Sequence, residues 1–404
     1  MNIWRISLIN TKSKPLATFL SIFILSLSIS LLLGIRQLEN SFKYQMKNNL
    51  GTIDLVIGAK GSPLQLVLAS VLHMDNPTGN ISYKEAKKIS KSPLVKAAVP
   101  IAYGDNYKNY KIVGTTNQFP SLYNTKIAKG RPVKKSMEVV LGARVAQQLN
   151  LKIGDVFLSS HGLVENDIDV HDEEFSVVGI YQATNKVIDR LIVTNLESIW
   201  YIHNHENKEH ENHLEHDENH DEVKEITALL VSFKSPTSFL TFPRRINENT
   251  NMQAALPKYE LDKLYRFTGI GFKSISWIGY MILVISCITI FISLYKMVKE
   301  RAFDLALLRT YGASNFQLIR MIAYEGFIVG FLAFLLGILI SNAALYYVFR
   351  IIATDYNQNI AQKLPPIAYL EIGGLVSMTV ILAILFALYP LTKINISTIL
   401  SNEK

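Results

Sequence analysis

Residues Ile322 to Phe349 read IAYEGFIVGFLAFLLGILISNAALYYVF, with Glu325 the sole charge in the run. A helix rising about 1.5 Å per residue needs about 20 such residues to cross the roughly 30 Å hydrocarbon core of a bilayer, and the core helix of a soluble domain needs no run so long. Three further stretches meet the same criterion: Leu16 to Gly34, Ile275 to Leu294 and Ile367 to Pro390. The chain therefore predicts a membrane protein with four transmembrane α-helices over 16–34, 275–294, 322–349 and 367–390. The average composition agrees, since 49% of the 404 residues are hydrophobic and 18% charged, where soluble domains hold about 25% charged residues. The lone cysteine, Cys287, excludes an internal disulfide.

Arg5, Lys12 and Lys14 precede the first run as the basic region of a secretory signal would. That run exceeds the roughly 7 to 15 apolar residues of a signal, and it ends in Leu31-Leu32-Leu33-Gly34-Ile35-Arg36 rather than at a small-residue cleavage site. It reads as an uncleaved span. Basic residues near the spans set the orientation, because cytoplasmic loops carry the Lys and Arg excess. Lys296, Lys299, Arg301, Arg309 and Arg320 lie between the second and third spans and Lys393 and Lys404 follow the fourth, against Arg350 and Lys363 alone in 350–366. Residues 1–15, the 296–320 loop and the 391–404 tail are expected inside, and 35–272 and the short 350–366 loop outside. The formal charge of +8 belongs to these flanks. No basic cluster with interleaved aromatics points to a nucleic-acid partner.

Between the first two spans the chain has room for a large extracytoplasmic domain. Leu38, Phe42 and Met46 keep helical spacing, so 35–50 is expected to continue the first helix as a stalk. Tyr259, Leu261, Leu264, Tyr265 and Phe267 do the same on the return side. Ile53–Gly58 and Lys111–Gly114 read as strands. Ser82–Ile89 reads as a helix opened by a Ser82-x-x-Glu85 capping box, and Val139–Leu149 as a strand running into a helix. Lys152-Ile153-Gly154-Asp155 is a turn. Further strands are expected at 155–159, 174–181, 188–193 and 226–233. The pattern is α+β, without internal repeats.

Candidate chemistry is sparse. Residues 203–222 gather His203, His205, His210, His213, His216 and His220 among carboxylates. Imidazoles on an acidic chain bind zinc or another transition metal loosely, whereas a fixed zinc site needs three or four ligands held by outer partners. A solvated insertion is the competing reading. His161 and His171 lie in a similar acidic stretch, and His73 in a turn marked by Asn76, Pro77 and Gly79. Gly58-Ala59-Lys60-Gly61-Ser62-Pro63 lacks the spacing of a phosphate loop. Gly-x-Ser-x-Gly and His-Glu-x-x-His do not occur, and no catalytic centre is expected. Gly326, Gly330 and Gly337 give the third span a small-residue face for packing or dimerisation. Glu325, about four residues from Arg320, is expected to be an interfacial, solvated or paired carboxylate.

The 299–314 stretch, Lys-Glu-Arg-Ala-Phe-Asp-Leu-Ala-Leu-Leu-Arg-Thr-Tyr-Gly-Ala-Ser, reads as a helix of about three turns with Phe303, Leu307 and Tyr311 on one stripe and Gly312 as its stop. An apolar stripe on a loop helix suits docking in a partner's groove. The stretch resembles the loop between the second and third spans of FtsX-like and MacB-like ABC permeases, typically Glu-Arg-x-x-Glu-Ile-Gly-x-Leu-Arg-Ala-x-Gly-Ala-Ser. Glu300, Arg301, Leu308, Arg309, Gly312, Ala313 and Ser314 match; Asp304, Leu305, Ala306 and Thr310 are mild departures. Met137–Asp155 and Phe175–Ile180 look like segments of the family's core domain, and the layout of one span, a large domain and three spans is also similar.

The resemblance implies a four-span permease of a bacterial cytoplasmic membrane with both termini inside. It also implies a non-catalytic subunit working with a separate cytoplasmic ABC ATPase that carries ATP and magnesium. Permeases of this kind pair as homodimers or heterodimers and work with extracytoplasmic adaptors or lipoproteins. Glu300, Arg301, Asp304, Leu305, Leu308, Arg309, Gly312 and Ala313 would couple to the ATPase, and ATP-driven motion would pass through the stalks as mechanotransmission. Export, lipoprotein or lipid handling and metal-linked transport are all compatible. The rival class is a membrane-anchored sensor or metal-binding protein without ATP coupling.

Overall fold

The computed structural model describes residues 15–160, 170–202, 224–301, 303, 307, 309–355 and 362–392. The chain divides into two compact units, one of residues 1–42, 267–352 and 360–404, the other of residues 43–266 and 353–359. Four helices are long and apolar enough to cross a membrane. In chain order the helices are α1 (Pro15–Asn49), α2 (Pro63–Ser70), α3 (Tyr83–Ser90), α4 (Phe119–Leu122), α5 (Ala143–Leu149), α6 (Ser238–Asn249), α7 (Pro257–Glu300), α8 (Asn315–Asp355) and α9 (Pro366–Thr392). α1 runs unbroken through the stretch read as a stalk, and α7 begins well ahead of its apolar run, at Pro257.

The first unit is a four-helix bundle. Leu25, Ile29 and Leu33 of α1, Leu283, Ile290 and Leu294 of α7, Met321 and Val329 of α8, and Val376, Val380 and Ile384 of α9 form one buried cluster. The opposite faces expose Trp277, Met281, Phe331, Leu339 and Phe386, as a lipid solvent permits. Between helices the Ser28 hydroxyl donates to the Gly279 carbonyl at 3.0 Å.

The second unit is built on strands β1 (Leu55–Ala59), β2 (Ile81–Ser82), β3 (Val95–Tyr107), β4 (Tyr110–Thr115), β5 (Ile127–Gly130), β6 (Glu138–Leu141), β7 (Val156–Ser160), β8 (Val170–Tyr181), β9 (Ile192–Asn195), β10 (Glu225–Ile226), β11 (Ala228–Phe233) and β12 (Met252–Ala255). Among the described residues ten of them make one sheet, ordered β12-β1-β11-β3-β4-β9-β6-β8-β5, with β7 paired to β3 and β8; β2 and β10 form a separate ladder. β4 with β9 and β6 with β8 are parallel and the rest antiparallel, so the sheet is mixed. Leu55, Ile57, Ile112, Leu141, Phe175 and Val231 anchor its core.

Local chemistry explains the segment from β6 to β8. Gly142 lies between β6 and α5, where a Cβ would meet the Ile188 and Asp189 carbonyl oxygens at 2.4 Å, so only glycine fits. Asn150, at φ 53°, ends α5 in the left-handed conformation. The turn at 152–155 is closed by Lys152 N donating to Asp155 Oδ2 at 2.7 Å and Asp155 N donating to Lys152 O at 3.1 Å. At the 353–359 end of the same unit, Arg144 of α5 donates to the Ala353 carbonyl at 2.9 Å.

Several sequence expectations shift. The 188–193 strand is a 3₁₀ turn over Val187–Arg190 followed by β9. β8 starts at Val170, so His171 lies in a strand rather than a loop; His161 lies outside the described residues. α3 begins after Ser82, but the Ser82 side chain makes no capping bond. Ser62 does cap: its Oγ accepts from Gln65 N at the start of α2, with Pro63 in the first turn.

Candidate functional site

The connection from α7 to α8 carries the residues singled out for coupling. α7 ends at Glu300, and Arg301 N donates back to the Met297 carbonyl at 3.1 Å. The backbone is helical at Phe303, Leu307, Arg309 and Thr310. Tyr311 N donates to the Leu307 carbonyl and Gly312 N to that of Arg309, both at 3.1 Å. Gly312 then takes φ +92°, the left-handed geometry that stops a helix. α8 starts with a reciprocal cap: Ser314 N donates to Gln317 Oε1 at 3.0 Å and Gln317 N to Ser314 Oγ at 3.3 Å. Asp304, Leu305 and Leu308 lie outside the described residues.

Among the described residues of this connection, large apolar side chains stand exposed beside polar ones. Leu307 is 39% exposed, Tyr311 81% and Phe316 72%, while Phe303 is half-buried. Arg309 and Ala313 are half-buried beside them. Among the described residues, Leu307 and Tyr311 thus form an exposed apolar stripe one helical turn apart, with Arg309 between them in sequence.

The small-residue face of α8 is spent inside the bundle. A Cβ on Gly326 would meet Ile384 at 2.8 Å, one on Gly330 would meet Val380 at 2.9 Å, and one on Gly337 would meet Ile29 at 2.7 Å. Gly326 and Gly330 thus let α9 approach, and Gly337 lets α1 approach. Glu325 is 2% exposed, so it is buried among the helices of the bundle rather than solvated. Burial follows from the spacing: it stands next to Gly326 and four residues before Val329, on the face turned to the other helices.

His203, His205, His210, His213, His216 and His220 lie outside the described residues. Among the described residues no three His, Cys, Asp or Glu side chains are grouped to hold a metal.

A buried polar cluster escaped the sequence reading. His73, 5% exposed and at φ 52°, packs edge-on to Tyr103 and Phe119. The Tyr103 hydroxyl donates to the Ala69 carbonyl, and His73 Nδ1 lies 2.5 Å from the same hydroxyl oxygen. With the phenol proton committed to Ala69, His73 Nδ1 must supply the proton of the second bond. Nε2 is then a bare acceptor, and it has no hydrogen-bond partner. Arg190 donates to the Leu72 carbonyl, and Lys111 to that of Asp75 at 2.5 Å. Burial first, then the charges of Arg190 and Lys111, hold the His73 imidazole well below its ordinary range. Burial likewise brings the Arg190 guanidinium down to about 10. The signal was weak in sequence because these partners are up to 118 residues apart.

Residues 17–244 match the MacB-like periplasmic core domain family and residues 276–396 the FtsX-like permease C-terminal family. No curated protein sequence matches the chain. Among solved structures, the periplasmic region of MacB from Actinobacillus actinomycetemcomitans is similar at 11% identity, over 54% of this chain and 94% of that one, with a TM-score of 0.33. The extracellular domain of YknZ, a noncanonic ABC-type transporter of Gram-positive bacteria, is similar at 11% identity, over 50% of this chain and 98% of that one, with a TM-score of 0.32.

Proposed function

This chain belongs to the FtsX-like permease family with a MacB-like periplasmic core domain, and on that premise we propose that it is the non-catalytic transmembrane subunit of a mechanotransmitting ABC transporter. A separate cytoplasmic ATPase binds the α7–α8 connection, and two permease chains pair around their spans. The ATPase supplies ATP-driven closure. α7 and α8 receive that stroke at residues 299–314, and α1 and α7 carry it to the core domain. Both termini and the α7–α8 connection lie in the cytoplasm, and the core domain lies outside the cytoplasmic membrane.

The observation that supports this reading is the exposed stripe of Leu307 and Tyr311, ended by Gly312. An apolar side chain held in water next to basic residues is better placed in a partner's groove, where its burial contributes about 25 cal/mol per Å². The test is detergent purification of the tagged protein followed by an ATPase assay of the eluate. Wild type is expected to bring down an ATPase, whereas Leu307→Asp, Tyr311→Asp and Leu308→Asp lose it while eluting as the same monodisperse species. A well-behaved wild-type preparation without ATPase would overturn the coupling role and favour a membrane-anchored sensor.

A further inference from the structure

In the α+β unit, a groove of about 490 Å³ opens between the end of α3 and α6. Its volume falls within the usual range of ligand clefts, roughly 300 to 1,000 Å³. The accessible apolar lining is Pro93, exposed, and Ile89, half-buried, next to the core residues Phe242 and Ile246, each 5% exposed. The rim holds Lys88, Lys91 and Arg245, all exposed, and no carboxylate lines the groove.

Why these cations point into one groove follows from what their neighbours do. On α6, Arg244 is engaged by Glu248 at 2.7 Å, and Asn247 turns away to accept from Ala254 N at 2.6 Å. Arg245 is left over the groove. On α3, Ala86 faces the core, which sends Lys88 outward, and Lys91 follows the helix end. Among the described residues Lys88, Lys91 and Arg245 have no ion-pair partner. Three like charges around an apolar lining repel one another, and an incoming anion relieves that repulsion.

We propose that this groove docks an acidic peptide segment of a partner protein. One aromatic or aliphatic side chain of the segment sits on Pro93 and Ile89, and carboxylates on either side meet Lys88, Lys91 and Arg245. Charge complementarity selects an acidic occupant, and the apolar lining selects a peptide over a plain polyanion, since a sugar-phosphate chain brings nothing to cover Pro93 and Ile89. Arg245 fits a carboxylate through paired N–H donors. The inference does not depend on the ATPase coupling proposed above.

The test uses the full chain in lipid nanodiscs and a fluorescein-labelled peptide of the pattern Glu-Glu-Phe-Glu-Glu, read by anisotropy. Saturable binding is expected, weakening as salt is raised. The triple variant Lys88→Glu, Lys91→Glu, Arg245→Glu should weaken it by about tenfold or more, while Lys129→Glu on β5 leaves it unchanged. Replacing the peptide's Phe by Ser should weaken binding to the wild type by a similar factor. All three substituted side chains are exposed, so thermal melting should match wild type. Absence of saturable binding, or equal binding by the triple variant, overturns the proposal. Equal binding of the Ser peptide, or displacement of the Phe peptide by polyphosphate alone at matched charge, overturns the peptide assignment in favour of a plain anion site.

Discussion

A neutral histidine locked inside a sheet domain ties stability to pH. His73 is buried against Tyr103 and Phe119 with Arg190 and Lys111 close by, and its protonation is disfavoured there. The unfolded imidazole titrates near 6.5, above its folded value, so no penalty exists above about pH 6.5. As pH falls from there toward the folded value, the unfolded chain takes up the proton first and unfolding is favoured. Thermal unfolding of the full chain should therefore show a melting temperature that drops between pH 7.5 and 5. In His73→Asn, a residue that tolerates the left-handed backbone, the curve over that window should be flatter, although the variant is less stable throughout; parallel curves would refute the assignment. Glu138 gives a second limb at lower pH. Arg131 grips both its oxygens at 2.6 and 2.7 Å, and the backbone N–H groups of Lys134 and Lys135 donate to the same carboxylate, which brings it down to about 2. Its contribution is complete above about 4.5 and disappears as pH falls toward about 2. Glu138→Gln should lower the melting temperature at pH 7 and remove that limb. Equal acid sensitivity in the variant would show that other carboxylates carry it.

At the scale of elements, the close approaches along α8 can be tested directly. Gly330 leaves room for Val380 of α9, where a Cβ would already stand at 2.9 Å, whereas nothing lies within 4 Å of a Cβ on Gly374. Gly330→Val should destabilise the bundle by roughly 1 to 3 kcal/mol through overpacking, and Gly374→Ala should be neutral or slightly stabilising. Melting in detergent distinguishes them, and equal shifts would mean that the α8–α9 contact is not a tight one. The long helices were legible in the sequence because their apolar runs need no partner to be recognised. Strands were legible where a short apolar run stands between turns, as at β1, β4 and β11. β3 was not, since Pro100 and Gly104 interrupt it and proline reads against a central strand. It survives because Pro100 stands one residue beyond the last β4 pair, Ile101 with Thr115. α6 was hidden for a related reason, having Pro243 within it. The Ser314–Gln317 cap had a readable pattern, Ser-x-x-Gln before an apolar run, yet Ser82-x-x-Glu85 has the same form and makes no such bond. The pattern alone does not decide. Of the candidate site, the stop at Gly312 and the stripe were visible as local spacing, while the His73 cluster depends on contacts that form only after the sheet has assembled.

At the scale of the whole chain, three continuous helices cross the division between the two compact units: α1 near Phe42, α7 near Phe267, and α8 for its last three residues from Ala353, so that α1 and α7 carry the longer stretches. A helix is stiff along its axis because each turn is bonded to the next, so a displacement at one end is carried to the other without a hinge. The β-sheet unit has its own buried apolar cluster, which includes Leu55, Phe175 and Val231. If the proposed stroke reaches the core domain through α1 and α7, a break at the crossing point should separate two properties that are joined in the wild type. Phe42→Pro and Phe267→Pro each remove one backbone bond and force a clash with the preceding turn, which costs about 3 kcal/mol in a helix interior. Neither touches residues 299–314, so the ATPase should still co-purify with either variant. The core domain's response should be lost: limited proteolysis of the wild-type complex is expected to differ between nucleotide-free and ATP-plus-vanadate conditions, and the digestion pattern of each proline variant to be the same in both. A variant that keeps both the ATPase and the nucleotide-dependent pattern would show that α1 and α7 are supports and that the motion travels by another route.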